Sequence, residues 1–344
     1  MKNNTLTALN GVKVGHATRK NELTGCTFVL FDRPYPVAYK AYGGGPGTFN
    51  TDLLQNGKDF YHRHGLFISG GSLTGLQCGT EIMKGLIEQG IGYKNYAVVN
   101  PSISGAIIFD LGMRIKQLDP RMGREALENV TNKPVADGNV GAGTGATVGK
   151  FWDADDGKTL AAMKSGVGSA RVNLDNGAMV CALSVVNAVG NVVLPNGQIL
   201  SGNRSDLPGE KYKTFSGYAK SQEMPENTTI TIVGTNVALP TREQYEKVAH
   251  LASQGHVRAI NPVHASVDGD TVFVFSTEEV ESSLSHKQQI EVKKDLWHQL
   301  ETDIIGNAAA QVVQESIYNA CYAAETIPFK DALNGTIPSC HDYP

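Results

Sequence analysis

The feature that most constrains this chain is a junction. Residues 202–227 (GNRSDLPGEKYKTFSGYAKSQEMPEN) are polar, carry two prolines and show no periodicity; they stop abruptly at Thr228-Thr229-Ile230-Thr231-Ile232-Val233, where polar and apolar residues alternate. Period-two alternation is the pattern of a half-buried strand with one face on a core. A connection that long inside a compact chain is usually functional or disordered. The sequence therefore predicts a long exposed connection that becomes a buried strand at Asn227-Thr228.

Similar punctuation recurs elsewhere. Residues 12–16 and 27–31 read as short strands, followed by the turn-rich run Tyr42-Gly43-Gly44-Gly45-Pro46-Gly47-Thr48, and a strand over 66–69 meets Gly70-Gly71-Ser72. Leu76, Ile82, Met83, Leu86 and Ile87 place an amphipathic helix over 74–89, closed by Gly90. Strands follow over 97–100 and 106–109, a helix over 121–130, a glycine-rich loop over 138–149, and strands over 178–187 and 191–194. Beyond the junction come a helix over 243–253 behind Pro240, a strand over 271–275, and a helix over 304–324 with Ala308-Ala309-Ala310 at a close packing face. Strands interspersed with helices, with no internal repeat and no linker, indicate an α+β or layered α/β fold in a single domain.

Formal net charge is −4 and no block of Lys and Arg occurs, so a nucleic-acid footprint is missing. Residues 1–15 lack the apolar run of a signal peptide, and no stretch approaches eighteen uninterrupted apolar residues. A soluble cytoplasmic protein with small partners and no membrane association is expected. Five cysteines without a C-x-x-C pair point to reduced thiols.

Common catalytic templates fail. There is no H-E-x-x-H and no G-x-S-x-G, and His62-x-His64 reads as structural or solvated. The loop from Gly141 to Lys150 misses the phosphate-loop template, because Thr144 and Phe151 stand where a glycine and a Ser/Thr are required. The junction offers different chemistry. A chain that begins at Thr228 would carry its own base, since an α-amine with a pKa of roughly 7.7 to 8 can take the hydroxyl proton. Asp268 and Asp270, two apart in an extended run, could project together and orient that ammonium. Asn187 could stabilise an oxyanion and Lys150 could place positive charge nearby. Taken singly, each of these residues has an ordinary structural reading as well.

Nine ordered blocks decide between them: GVKVGHAT (11–18), GGGPGT (43–48), SGGSLTGL (69–76), AIIFDLG (106–112), VGAGTGATVGK (140–150), MKSGVGSA (163–170), VVNAVGNV (185–192), NTTITIVGTNV (227–237) and PVHASVDGDTVF (262–273). Together they resemble the L-aminopeptidase/D-esterase family of DmpA-like peptidases, which includes β-aminopeptidases and nylon-oligomer endohydrolases. The Asp268/Asp270 pair is similar to the endohydrolase branch.

The resemblance implies a four-layer αββα sandwich of the DmpA/ornithine acetyltransferase type. It implies one catalytic domain, 1–344, that cleaves itself into an α-chain, 1–227, and a β-chain, 228–344. Thr228 would then be an N-terminal nucleophile with Asn187, Lys150, Asp268 and Asp270 as partners, and Phe109, Gly143 and Thr144 would contact substrate. Phe109 stands where two branches have a tyrosine. The implied function is hydrolysis of small peptides or amino-acid amides and esters through an acyl-enzyme, with no metal or organic cofactor, in a homo-oligomer, commonly a tetramer of αβ units. Acyl transfer by the same nucleophile, or an unprocessed binding homologue, are the alternatives.

Overall fold

One strand joins two layers of the molecule. In the computed structural model, which describes residues 3–151, 159–215, 227–281 and 294–343, Thr24–Ala41 forms a single long strand, β2. It belongs to a nine-stranded hydrogen-bonded array with Val12–Arg19 (β1), Thr48–Phe49 (β3), His62–Ser69 (β4), Ile103–Ile107 (β5), Val167–Asn173 (β6), Met179–Asn187 (β7), Thr228–Val237 (β8) and Thr271–Val280 (β9). The first half of β2 pairs with β1 and β4. Its register with β4 shifts between Leu30 and Tyr35, and Val37–Ala41 pair with β9 instead. Pro34 and Pro36 lie at the change of partner, where missing N–H donors interrupt a ladder least harmfully.

The two stretches of sheet pack face to face. Val29, Leu66 and Ile68 meet Ile230, Ile232, Phe273 and Phe275 between them. On one outer face, Phe28 and Phe67 are covered by Ile82 and Leu86 of α1 (Gln77–Glu88) and Met122 and Leu127 of α2 (Met122–Glu128). On the other, Val233, Val272 and Val274 lie under α3 (Arg242–Ala252), α4 (Gln254–Ala259) and α5 (Lys294–Tyr322). This is the αββα order. Thr241 and Gln244 close a capping box on α3, a device worth about 1 kcal/mol. Ala308, Ala309 and Ala310 are buried as the sequence suggests, and a Cβ on Gly255 of α4 would stand 2.5 Å from the Ala310 carbonyl oxygen. Among the described residues no helix is long and apolar enough to cross a membrane, and all five cysteines are free.

Three expectations change. The alternating strand is not half-buried: every residue of β8 is buried. Its threonine face meets hydroxyl and imidazole groups in place of water, with Thr231 Oγ1 2.8 Å from His256 Nε2 and from Ser184 Oγ, and Ser184 Oγ 2.6 Å from Ser316 Oγ. Nor does the connection start exposed. Gly202 to Ser205 are buried, and the Arg204 guanidinium donates to the carbonyls of Leu160, Ala161, Leu333 and Thr336. Residues 216–226 lie outside the described residues. The strand expected over 106–109 runs Ile103–Ile107, leaving Phe109 just beyond it.

Candidate active site

Strand register assembles the site. The antiparallel pairing of β7 with β8 sets Asn187 opposite Thr228, and cross-strand partners share a face. The parallel neighbour β9 brings its entry turn alongside, with a bridge between Asn227 and Asp268. There the Asn227 N–H donates to Val267 O at 3.0 Å and the Gly269 N–H to Asn227 O at 2.7 Å. The Thr228 hydroxyl closes on the same Asn227 oxygen as a second donor. Asn227 and Thr228 are 1% and 4% exposed, so the peptide bond of the junction is sequestered from bulk water.

The glycine motifs explain how the turn fits. Tyr42 N–H donates to Asp270 O at 2.8 Å and Gly45 N–H to Asp268 O at 2.9 Å. A Cβ on Gly43 would stand 1.8 Å from that Asp268 oxygen, and one on Gly269 would stand 2.8 Å from Thr228 Oγ1. Both positions exclude a side chain by contact.

Asp268 and Asp270 are both buried, and their environments differ. Asp270 Oδ1 accepts from Thr229 N–H at 2.6 Å, while Oδ2 faces the His264 backbone N–H at 3.1 Å and His264 Nδ1 at 2.9 Å. Burial acts to raise its pKa, but the His264 hydrogen bond, the nearby imidazoles and the Thr229 N–H outweigh it, and the net shift is downward. Asp268 Oδ2 accepts from Ala265 N–H at 2.9 Å, the Val189 N–H also acts on the carboxyl, and Oδ1 is buried without a close hydrogen bond. Burial and the charge of Asp270 push its pKa up to about 7. Two neighbouring carboxylates are thereby driven apart in acidity.

Lys150 ends the glycine-rich loop inside the protein. It is buried, with Nζ donating to Asn187 O at 2.9 Å and Asn187 Oδ1 at 2.7 Å. Burial drives its pKa well below the usual lysine range, against the pull of Asp268 and Asp110. Burial thus works against the fixed positive charge expected from sequence. Asn187 also departs from expectation. Its amide nitrogen donates to Phe109 O at 2.8 Å, and its oxygen takes Lys150 and the Thr147 N–H, so it braces the lysine and leaves the Asn227 carbonyl to Gly269.

A small pocket opens beside the junction, lined by Phe109, Asp110, Leu111, Arg114, Thr147, Lys150, Leu160 and Asn227. Of the three residues expected to contact substrate, Phe109 lines this pocket and Gly143 and Thr144 do not. Gly143 O accepts from Lys164 Nζ at 3.1 Å, and Thr144 Oγ1 donates to Gly141 O at 2.6 Å, both inside the protein. A helical turn over Gly141–Gly143 folds that part of the loop inward, and Thr147 reaches the pocket instead. His256, His264 and Asp270 bring possible ligand atoms within 4.8 Å of one another. With His264 Nδ1 on Asp270 and His256 Nε2 on Thr231, however, they form a hydrogen-bonded cluster. His64 is structural, its Nδ1 taking the Ser102 N–H. Gly269 and His264 escaped the sequence reading, although both stand in the block PVHASVDGDTVF.

The model of peptidase family S58 matches residues 4–334. The chain belongs to that family. An uncharacterized aminopeptidase of Mycobacterium leprae is 30% identical, covering 97% of this chain and 94% of its own length. A 6-aminohexanoate-oligomer endohydrolase of a Kocuria strain is 30% identical over 79% of this chain and 74% of its own. Among solved structures, the L-aminopeptidase D-Ala-esterase/amidase of Ochrobactrum anthropi, described as a variant of the Ntn hydrolase fold, superposes with a TM-score of 0.68 at 20% identity, covering 98% of this chain and 90% of that one. An S58 chain with such relatives is a hydrolase of peptide or amide bonds.

Proposed function

We propose that this S58 chain is a self-processing hydrolase whose nucleophile is Thr228. The observation that carries the reading is the clamp on the Asn227 carbonyl: Gly269 N–H at 2.7 Å on its oxygen, with the Thr228 hydroxyl against it. A backbone N–H aimed at an amide oxygen stabilises the charge that develops when the carbon is attacked. In the precursor, Thr228 Oγ attacks Asn227 C as the C–N bond breaks. The hydroxyl proton passes to the Lys150 amine, and the Thr228 nitrogen receives a proton from the carboxyl pair. Water opens the resulting ester, leaving chains 1–227 and 228–344 within one catalytic domain.

In the processed enzyme the α-amine of Thr228 becomes the base. Asp268 Oδ1, buried without a close hydrogen bond, is its acceptor. Substrate acyl groups take the place Asn227 vacates, against Phe109, Leu111 and Leu160. Small peptides, amino-acid amides or esters and ω-amino-acid oligomers fit this reading, which the names of the relatives support. A cytoplasmic homo-oligomer of αβ units, a tetramer by analogy with the family, completes it, and size-exclusion chromatography with light scattering tests that part.

Intact-mass measurement tests the core. Wild type should yield fragments of about 24 and 12 kDa, scaled from chain length, and Thr228→Ala should remain one chain without amidase activity. A Thr228→Ala protein that still splits at 227/228 sinks the proposal.

A further inference from the structure

The carboxyl pair poses a question that the nucleophile assignment does not answer: which of the two holds the proton when the junction breaks. Two buried neighbouring carboxylates resist ionising together. Asp270 is surrounded by donors, namely the Thr229 N–H on β8 and both the backbone N–H and Nδ1 of His264. An ionised carboxylate can only accept, so the Nδ1 of His264 carries the hydrogen between them. Asp268 has only backbone donors, the N–H groups of Ala265 and Val189, and its Oδ1 makes no close hydrogen bond. His264 is itself held in place. It adopts a left-handed backbone conformation with φ 59, and its ring stacks on Tyr42 with centroids 4.9 Å apart. The Tyr42 hydroxyl in turn reaches His250 Nδ1 at 3.1 Å.

We infer that His264 is the positioning residue that decides which carboxylate keeps the proton: it holds Asp270 ionised and leaves Asp268 to protonate the Thr228 nitrogen as the Asn227–Thr228 bond breaks. The inference rests on Thr228 as nucleophile. The proton balance closes, because the Thr228 hydroxyl proton goes to Lys150 and the Asp268 proton goes to nitrogen. An ammonium and a carboxylate remain, and each electrostatically favours the charged form of the other.

The titratable groups that bear on the carboxyl pair come from every side. Asp268 shares its turn with Asp270, His264 lies on the preceding loop, His256 is on α4, and Lys150 approaches from the glycine-rich loop; Tyr42 and His250 flank the far side of His264. Of these, only His264 donates to Asp270 through its side chain. Its removal frees Asp270 to compete for the proton, and the acidic limb of self-cleavage moves to higher pH.

The test uses full-length precursor from cell-free translation, with cleavage followed by intact mass from pH 4 to 9. His264→Asn keeps an N–H donor near the Nδ1 position, whereas His264→Gln places its amide toward Nε2. The expected result is slowing of about tenfold or more in His264→Ala and His264→Gln, with the acidic limb raised by about one pH unit, the scale of a lost hydrogen bond to a charged carboxylate. His264→Asn should recover the rate to within about threefold and restore the limb. Equal behaviour of the Asn and Gln variants, or an unmoved limb in both slow variants, overturns the inference, and the Asn/Gln comparison decides even if His264→Ala does not fold. Cleavage in Thr228→Ala would overturn the nucleophile assignment instead.

Discussion

Two buried polar clusters lie close together in this protein, and they are built on opposite principles. In the first, Lys164 donates to Gly143 O and Ala146 O at 3.1 and 2.9 Å and closely to Ser165 O, while Arg204 donates to four backbone carbonyls. Its charges end on backbone oxygen, a stable terminus that ties loops to the sheet. In the second, Lys150 ends on Asn187, Asp270 accepts from the Thr229 N–H and faces His264, and Asp268 Oδ1 is buried without a close hydrogen bond. Buried polar groups in folded proteins are overwhelmingly satisfied. On the function proposed above, a buried carboxylate oxygen without a close hydrogen bond beside a clamped peptide bond is what distinguishes the reacting cluster from the anchoring one.

Replacing the two lysines separates the clusters most sharply. Lys150→Met should slow self-cleavage by roughly 10²- to 10⁴-fold, the usual range for loss of a general base. Lys164→Met should leave cleavage per folded molecule near wild type. Timed intact-mass measurements on both variants decide the point, and slow cleavage in Lys164→Met alone would invert the assignment.

Next in size is Arg204→Met, which strands carbonyls of two chain segments, Leu160–Ala161 and Leu333–Thr336. A loss of about 3 kcal/mol or more in unfolding free energy is expected. Urea denaturation in the single-chain Thr228→Ala background measures it without interference from cleavage. A change under about 1 kcal/mol would show that the anchor is dispensable.

How much of this was legible in the sequence follows the same division. A period-two run located β8 and β-rich apolar runs located β9 and β7, because both patterns depend on the chain alone, and the order of nine blocks carried the family and its layers. The grouping of Thr228 with Asp268 and Asp270 came from the resemblance, and the contacts themselves depend on a register between strands about forty residues apart. Burial depth was not legible. Thr229 and Thr231 read as solvent-facing, since a threonine pattern looks the same whether its hydroxyl meets water or His256 and Ser184. Lys150 read as a positive charge near the nucleophile, because nothing local shows the loop folding inward onto Asn187. Gly143 and Thr144 were misplaced for the same reason. His264 gave no signal of its own, and its role depends on a carboxylate six residues away that comes within reach only through the turn.

The smallest expected effect is a pair of opposite pH slopes, one from each cluster. Asp268 has its pKa raised from 3.8 to about 7, first by burial and then by Asp270. The native state therefore binds this proton more tightly than the unfolded chain, and the group's stabilisation, full below about pH 4, declines as pH rises towards 7. Lys164 has its pKa lowered from 10.5 to about 7 by burial. The unfolded chain binds that proton more tightly, so Lys164 favours folding most above about pH 10.5 and loses that contribution as pH falls towards 7. Its three carbonyl acceptors suit an ammonium and oppose the shift, which makes this slope the shallower of the two. In the Thr228→Ala background, urea titrations from pH 4 to 10 should show Asp268→Asn flattening the acidic segment and Lys164→Met the alkaline one. If Asp268→Asn leaves the acidic segment unchanged, Asp268 is ionised in the native state, and the contrast between a saturated anchor and a proton-sharing site loses its electrostatic basis.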